Sequence, residues 1–435
     1  MDLGHERRAW TLVYLCLGTI EGGTAAVMVR SLFGGTVRGI AVDLVLGLVS
    51  AAPAWSNLAS LAYARRAQGR RKVPFLRPLV VALAACVAAL ALVPRGGTGL
   101  VLFLLVYGAA RIVWAGIDTV RSVIWTVNYP RRLRASITGR IIMNGSLALA
   151  ASGLAVGWLL ERGGEWIRLA LVVAAGLGLA GAHAFGRFRV RGEERLLAAE
   201  RERLAGGARF DLAGARELLA RDANYRRYMV AMSVFGAGLL SLTPLLVISL
   251  DDVLGASEFV QVAVTSALPI IVIPFAIHPW ARFLDRAHVV VFRSVHGWVL
   301  VSAATLLVGA VLLGWQWLLW PGALLLGTSL AAGSLGWSLG HNDFAPRGEE
   351  TRYMALHVTL TGVRGLLAPP FAIVLYHALD AWRPGSGAWA LLMPLGLIVA
   401  GAHRFTRMRR YVTAAGAKSH NTDSTVEPVH ETTQG

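Results

Sequence analysis

Three charged residues lie in the middle of long apolar segments. Glu21, Arg111 and Arg364 are each flanked on both sides by mainly apolar residues. At a rise of 1.5 Å per helical residue, each would lie about halfway across a hydrocarbon core of about 30 Å. A charge at that depth costs about 2.5–3.5 kcal/mol even on the insertion scale, so these residues are candidate functional groups.

Glu21 is the candidate proton carrier. It is followed by Gly22 and Gly23, which loosen a helix and let a ligand or another backbone approach closely. A carboxyl group in a low-dielectric environment holds a proton more readily than in water, which suits proton coupling. It could equally contact a cationic group of a substrate. The alternative is a structural ion pair or hydrogen bond with a neighbouring helix, with Arg111 as a candidate partner.

Arg111, Arg364 and His357 are the basic residues that are candidates for substrate binding or coupling. Arginine does not lose its proton in a protein, so Arg111 would bind an anion or hold Glu21 ionised. His357 and Arg364 are seven residues apart and share one helix face, and a neutral histidine can relay protons. The alternative for this segment is helix packing through small and hydroxyl residues, with His357 near the membrane interface.

A second polar group lies towards the cytoplasmic ends of the fourth and tenth apolar segments. Asp118 and Arg121 are three residues apart and can pair on one helix face. The full set of candidate gate residues is Asp118, Arg121, Asn128, His341, Asn342 and Asp343. They would form polar contacts when the two halves of the protein close and lose them on opening. The alternative is ordinary helix capping and solvation. The run from His341 to Asp343 lacks a nucleophile, a metal-ligand set and a supporting acid, so it does not favour catalysis.

The composition predicts the elements that carry these residues. Apolar residues make up 55% of the chain and charged residues 15%, against about 25% charged in soluble domains. The apolar residues come in runs long enough to cross a bilayer. We therefore predict an all-α integral membrane protein with 12 transmembrane helices. The predicted spans are Trp10–Val29, Ile40–Tyr63, Leu79–Val93, Gly99–Asn128, Ile137–Leu160, Ile167–Phe185, Tyr228–Leu250, Phe259–Arg282, Val289–Leu313, Trp317–Asn342, Tyr353–His377 and Trp389–His403.

The basic residues predict the orientation. They concentrate after the second, fourth, sixth and last spans, which places both termini on the cytoplasmic side of the membrane. We expect this membrane to be a bacterial inner membrane. The net charge of +17 therefore does not indicate nucleic-acid binding. Arg30 and Asp43 are expected near the outer surface, solvated and without a role. Met1–Ala9 leads into a retained span, so no cleavable signal peptide is expected.

Three matches indicate an internal repeat of two six-span halves. Leu15–Gly18 resembles Ser233–Gly236, and a Pro and Trp followed by arginines end the second and eighth spans. The end of the fourth span resembles that of the tenth, and a Thr-Gly-Arg-like patch follows each: Thr138–Arg140, and Thr361–Arg364 with Val363 inserted. The expected divisions are a first bundle over residues 1–185, a basic cytoplasmic linker with amphipathic helices over 186–227, a second bundle over 228–405 and a disordered tail over 406–435.

This organisation resembles the major facilitator superfamily. Ala64–Lys72 is similar to the second part of the family's signature loop between spans two and three, without its acidic residue and first glycine. Phe283–Arg286 resembles the Asp-Arg portion in the second half. The resemblance implies two pseudo-symmetric bundles that expose a central site alternately to each side of the membrane.

We therefore expect a secondary transporter and not an enzyme, with a small-molecule substrate, a lipid bilayer and protons as partners. Two buried arginines against one glutamate favour an anionic or zwitterionic substrate. No cofactor or metal site is expected, since Cys16 and Cys86 lack metal-type spacing and no phosphate-binding loop for ATP is present. The alternatives are a transporter-like sensor or scaffold without net transport, and a membrane enzyme that modifies lipids.

Overall fold

The computed structural model describes residues 3–37, 39–129, 131–204, 212–346 and 349–423. Eleven helices in this part of the chain are long and apolar enough to cross a membrane, and one bent helix pair brings the number to twelve. This confirms the predicted all-α membrane fold. We number the spans in chain order: Gly4–Phe33, the pair Ala41–Ser50 and Ala52–Ala67, Lys72–Ala91, Gly97–Asn128, Ile137–Leu160, Gly164–Arg187, Ala223–Asp252, Glu258–Leu284, Val289–Leu313, Gln316–Leu339, Arg352–Trp382 and Gly387–Arg410.

Span 1 is interrupted near its middle. Its helical segments are Leu3–Gly18 and Gly22–Phe33, and Glu21 between them has an extended backbone with φ −68° and ψ 147°. A Cβ atom on Gly22 would lie 2.9 Å from the Ser50 carbonyl oxygen of span 2, and one on Gly23 would lie 2.9 Å from the Thr265 carbonyl oxygen of span 8. The two glycines therefore let the interruption touch both halves of the protein.

Span 2 bends by 52° between Ser50 and Ala52. Pro53 stands at the start of the second segment, and proline has no backbone N–H to continue the hydrogen-bond ladder of the preceding helix. Trp55, just after the bend, packs against Gly108 of span 4.

The internal repeat is visible as a repeated helix contact. A Cβ atom on Gly18 would lie 2.7 Å from the backbone of Leu149 in span 5, and one on Gly236 would lie 2.7 Å from the guanidinium carbon of Arg364 in span 11. Gly18 and Gly236 are the matching glycines of the two sequence repeats. In each half, then, the first helix meets the fifth helix at a residue without a side chain.

The start of the chain lies beside the end of span 6, where His5 Nε2 is 3.1 Å from the Ala184 carbonyl oxygen. We call this membrane face the linker side, because the chain between spans 6 and 7 leaves from it, and the other face the opposite side. The linker contains the helices Glu193–Leu204 and Leu212–Arg221. The last helix runs Leu392–Asp423, and the remainder of the predicted tail lies outside the described residues.

The first linker helix binds the loop between spans 2 and 3. A carboxylate oxygen of Glu200 accepts from the Gly69 backbone N–H and from Lys72 Nζ, both at 2.7 Å, and Glu193 accepts from the Lys72 backbone N–H at 2.7 Å. Lys72 is 1% exposed. Carboxylates from the linker helix therefore hold this loop and compensate the charge of the buried Lys72.

Candidate functional site: polar residues inside the membrane

Glu21 and Arg111 form an ion pair near the membrane centre. Arg111 Nη1 donates to Glu21 Oε2 at 3.0 Å, and the two side chains are 4% and 22% exposed respectively. The interruption of span 1 aims Glu21 at span 4, whose continuous helix carries Arg111. The structure thus contains the ion pair that was the structural alternative for Glu21, and the Glu21 side chain remains partly exposed.

Arg364 lies in span 11 without a carboxylate partner in the described part of the chain. Its Nη1 donates to the Met232 carbonyl oxygen at 2.9 Å, and its Nη2 donates to Thr361 Oγ1 at 2.8 Å. His357 lies closer than Arg364 to the linker-side end of span 11. It is fully buried, and neither of its ring nitrogens has a hydrogen-bond partner. The two residues share a helix face but do not hydrogen-bond to each other.

Span 9 adds two buried basic residues that the sequence did not mark. Arg293 and His296 are each 2% exposed, with Arg293 Nη1 3.3 Å from His296 Nδ1. A Cβ atom on Gly336 would lie 2.7 Å from the Arg293 guanidinium carbon, so the guanidinium rests against span 10 where no side chain intervenes. Arg293 stands near the linker-side start of its span, where an arginine is normally solvated. Its position along the sequence therefore gave no signal that it is buried.

Asp118 and Arg121 pair with each other, as their spacing predicts. Arg121 also donates to the Tyr14 hydroxyl, and its guanidinium carbon lies 4.7 Å from the centre of the Trp125 ring. The Asp118 side chain is 49% exposed. The pair is therefore held by aromatic side chains of the first half, with its carboxylate open to solvent.

The other gate candidates also make contacts within one half or with the linker. Asn128 Oδ1 accepts from the backbone N–H of Arg191 at 2.8 Å, and Asp343 Oδ2 accepts from that of Val289 at 2.6 Å, which caps the start of span 9. His341 is buried and Asn342 is exposed. Among the described residues, none of the six candidates forms a hydrogen bond or ion pair to the other half. The cytoplasmic gate therefore stays a prediction.

On the opposite side, ion pairs join the two halves. Arg30 in span 1 contacts Asp43 of span 2 at 2.8 Å and, across the halves, Asp251 at 2.6 Å and Asp252. Asp43 also accepts from His377 Nε2 of span 11 at 2.8 Å. The side chains of Arg30 and Asp43 are only 16% and 10% exposed.

The expectation that Arg30 and Asp43 are solvated is therefore wrong. Their depth was judged correctly, because both lie near the opposite side. Their burial comes from residues more than two hundred positions away in the chain, which single-sequence reasoning cannot place beside them.

Further contacts close this side down to the membrane centre. Thr24 Oγ1 in span 1 donates to Ser266 Oγ in span 8 at 3.2 Å, and the Phe259 backbone N–H donates to Glu161 Oε1 at 3.1 Å. Each contact joins a residue of the first half to a residue of the second. The two halves are thus in contact between the opposite side and the Glu21–Arg111 pair, so the structure is closed on that side.

Comparison with known proteins identifies the fold. No protein-family model and no curated protein matches the sequence. Among solved structures, the chain is similar to the nucleoside transporter NupG, with a TM-score of 0.68 and 13% identity over 94% of this chain and 100% of that one. It is similar to a bacterial homologue of the human lysosomal transporter Spinster in an inward-facing and occupied conformation, with a TM-score of 0.65 and 14% identity over 94% and 96%. It is also similar to the D-xylose–proton symporter, with a TM-score of 0.64 and 13% identity over 94% and 97%.

The three likenesses cover nearly the whole of each chain. The chain thus has the fold of the major facilitator transporters, as the sequence resemblance implied. By their names, NupG transports nucleosides and the symporter transports D-xylose, whereas the name of the Spinster homologue states no cargo. The fold alone therefore does not specify what this chain binds.

Proposed function

We propose that the chain is a secondary transporter that moves a small solute across the membrane by alternating access of its two halves. The observation that carries this proposal is the buried Glu21–Arg111 pair at the interruption of span 1, directly below a side closed by contacts between the halves. Interrupted helices near the bilayer midplane are where transporters of this architecture bind substrate and coupling ions. The solved transporters with the same fold support it.

In this mechanism the pair is the coupling element. The Glu21 carboxylate lies 3.0 Å from Arg111 Nη1 and its side chain is 22% exposed, and in this mechanism it is the group that takes up the proton. Protonation removes the negative charge that Arg111 faces. Arg111, which keeps its own charge, is then free to attract an anionic group of the substrate. The proton and the substrate thus meet at one residue pair, which is what coupling requires.

The closed ion-pair network is the second element. The contacts of Arg30 with Asp251 and Asp252 exist only while the opposite side is closed. Opening that side breaks them, and we propose that Asp118, Arg121, Asn128, His341, Asn342 and Asp343 then form the closing contacts on the linker side. Following the distribution of arginines, we propose that the linker side is the cytoplasm of a bacterial inner membrane.

The test is transport by purified protein in liposomes with an imposed pH gradient. A radiolabelled panel of nucleosides, pentoses, dipeptides, amino acids and dicarboxylates is offered, and we expect gradient-driven accumulation of at least one. We expect Glu21→Gln to abolish that accumulation while counterflow exchange persists. Glu165→Gln is the matched control, because that acid forms only an exposed pair on the opposite side.

Two results would contradict the proposal in different ways. If no solute of the panel accumulates, net transport is wrong and the sensor or scaffold alternative gains. If Glu21→Gln retains full accumulation under the gradient, transport stands but the coupling role of Glu21 is wrong.

A further inference from the structure

The two halves differ in how their buried positive charges are compensated. In the first half, Arg111 is paired with Glu21, and Lys72 with Glu200. In the second half, Arg293 and Arg364 have no ion pair to any carboxylate in the described part of the chain. The second half therefore holds uncompensated positive charge inside the membrane.

These groups form one cluster. Gly336 of span 10 meets the Arg293 guanidinium, and the ring of the neighbouring Trp337 lies 6.0 Å from the His357 ring, which shares a helix face with Arg364. Within the cluster, Arg293 Nε and Nη2, Arg364 Nε and both ring nitrogens of His357 have no hydrogen-bond partner. Because an arginine keeps its charge even in a low dielectric, two buried guanidinium groups without a carboxylate partner destabilise the empty protein. A bound anion would supply the partner that both lack.

Arg364 is the least enclosed of these basic residues. It is only partly buried, whereas Arg293 and His357 are almost completely enclosed. Each Nη of Arg364 has one identified acceptor, the Met232 carbonyl oxygen or Thr361 Oγ1. Since each Nη carries two hydrogens, one N–H on each remains to meet two oxygens of a planar or tetrahedral anion.

We propose that the second half binds an oxyanion group at Arg364. Arg293 acts as a positioning residue, since its charge adds positive electrostatic potential to the site. The ligand chemistry is a carboxylate, phosphate or sulfate group. This deepens the proposed function by adding a second contact for negative groups of the cargo, and it rests on that function only in treating the bound anion as cargo. It also distinguishes the two membrane-centre arginines: Arg111 can contact the substrate only once Glu21 is protonated, whereas Arg364 has no carboxylate partner in the described part of the chain and can contact it throughout.

The experiment measures thermal unfolding of the detergent-solubilised full chain with sulfate, with inorganic phosphate, or with chloride at equal ionic strength. A ligand that binds only the native state raises the midpoint, and for millimolar affinity we expect a saturable rise of about 2 °C with sulfate or phosphate over chloride. In Arg364→Gln the rise disappears, while the midpoint without sulfate stays equal to that of the wild type or increases, because an unpaired buried charge has been removed. In Arg293→Gln the sulfate concentration giving half of the rise increases by about tenfold. Arg282→Gln, an exposed arginine of span 8, leaves the response unchanged.

An equal response of the wild type to sulfate and chloride would overturn the proposal, as would a sulfate response that survives Arg364→Gln. Should Arg364→Gln fail to fold, Arg364→Lys keeps the charge without the two-pronged donor geometry, and its sulfate response must be weakened for the proposal to stand. Measuring solute flux distinguishes a failure of this inference from a failure of the proposed function. Solute accumulation without oxyanion stabilisation rejects only the anion site, whereas stabilisation without flux of any solute rejects only transport.

Discussion

Replacing Arg30 by glutamine should shift the protein towards the form that is open on the opposite side. Arg30 contacts three aspartates, but Asp43 belongs to the same half and moves with it. A conformational equilibrium responds only to contacts that differ between the two states. The contacts that matter are therefore those to Asp251 and Asp252 of the second half.

The magnitude follows from the exposure of these partners. Asp251 and Asp252 are 46% and 40% exposed, so solvent screens both pairs. Exposed ion pairs contribute about 0.2–1 kcal/mol each, which gives about 0.5–2 kcal/mol for the two. Since 1.4 kcal/mol corresponds to a factor of ten, we expect the ratio of open to closed protein to rise by about 2- to 30-fold.

The assay is a distance measurement between two spin labels. Leu92 and Val253 are exposed at the opposite side, one in each half, and accept labels as cysteines in a chain lacking Cys16 and Cys86. The long-distance population should grow in Arg30→Gln.

Arg95→Gln is the matched control, because that exposed arginine lies on the same side, in the loop between spans 3 and 4. An unchanged distance distribution in Arg30→Gln, or an equal change in both variants, would refute the reasoning.

Two further predictions concern stability, and both are checked by the midpoint of thermal unfolding. Glu200→Gln removes the carboxylate from a lysine that is 1% exposed, so we expect a loss of about 1–3 kcal/mol together with faster proteolysis of the linker. Glu194→Gln, whose pair is 64% and 77% exposed, should change the free energy of unfolding by less than about 0.5 kcal/mol, and equal losses would contradict docking by Glu200. Gly18→Ala places a Cβ atom 2.7 Å from the backbone of Leu149, which cannot turn aside as a side chain can, and should destabilise by about 1–3 kcal/mol. Gly176→Ala meets no atom within 4 Å and should be neutral or stabilising, so a similar loss in both would count against the close contact.

Depth in the membrane is what the sequence predicts well. Counting residues along apolar runs placed Glu21 and Arg111 at the same level, and the structure brings them into contact. The same counting found the twelve spans and the glycines of the repeat. These features follow from local hydropathy and helix geometry, which depend on neighbouring residues alone.

The sequence does not show how each helix is rotated about its own axis, and therefore which of its residues face other helices. Arg30 and Arg293 are both near a span end by counting, where arginine is ordinarily solvated, yet both are largely buried. Their environments are made by helices far away in the chain, such as span 7 around Arg30 and span 10 around Arg293. The buried Lys72 is a similar case, because the carboxylate that compensates its charge comes from the linker.

The energetics of the closed side bear on how the cargo can drive transport. The inter-half ion pairs of Arg30 contribute about 0.5–2 kcal/mol, so they bias the equilibrium without locking it. Inverting a 1:99 population ratio requires a difference in ligand affinity of about 5.5 kcal/mol between the two states, and a weaker closing network lowers that demand. An anion that compensates Arg364 on one half, and a proton that releases Arg111 on the other, would act on both faces of the same central region. In the proposed mechanism, the screened and marginal strength of the Arg30 ion pairs is what lets binding at the membrane centre change which side is open.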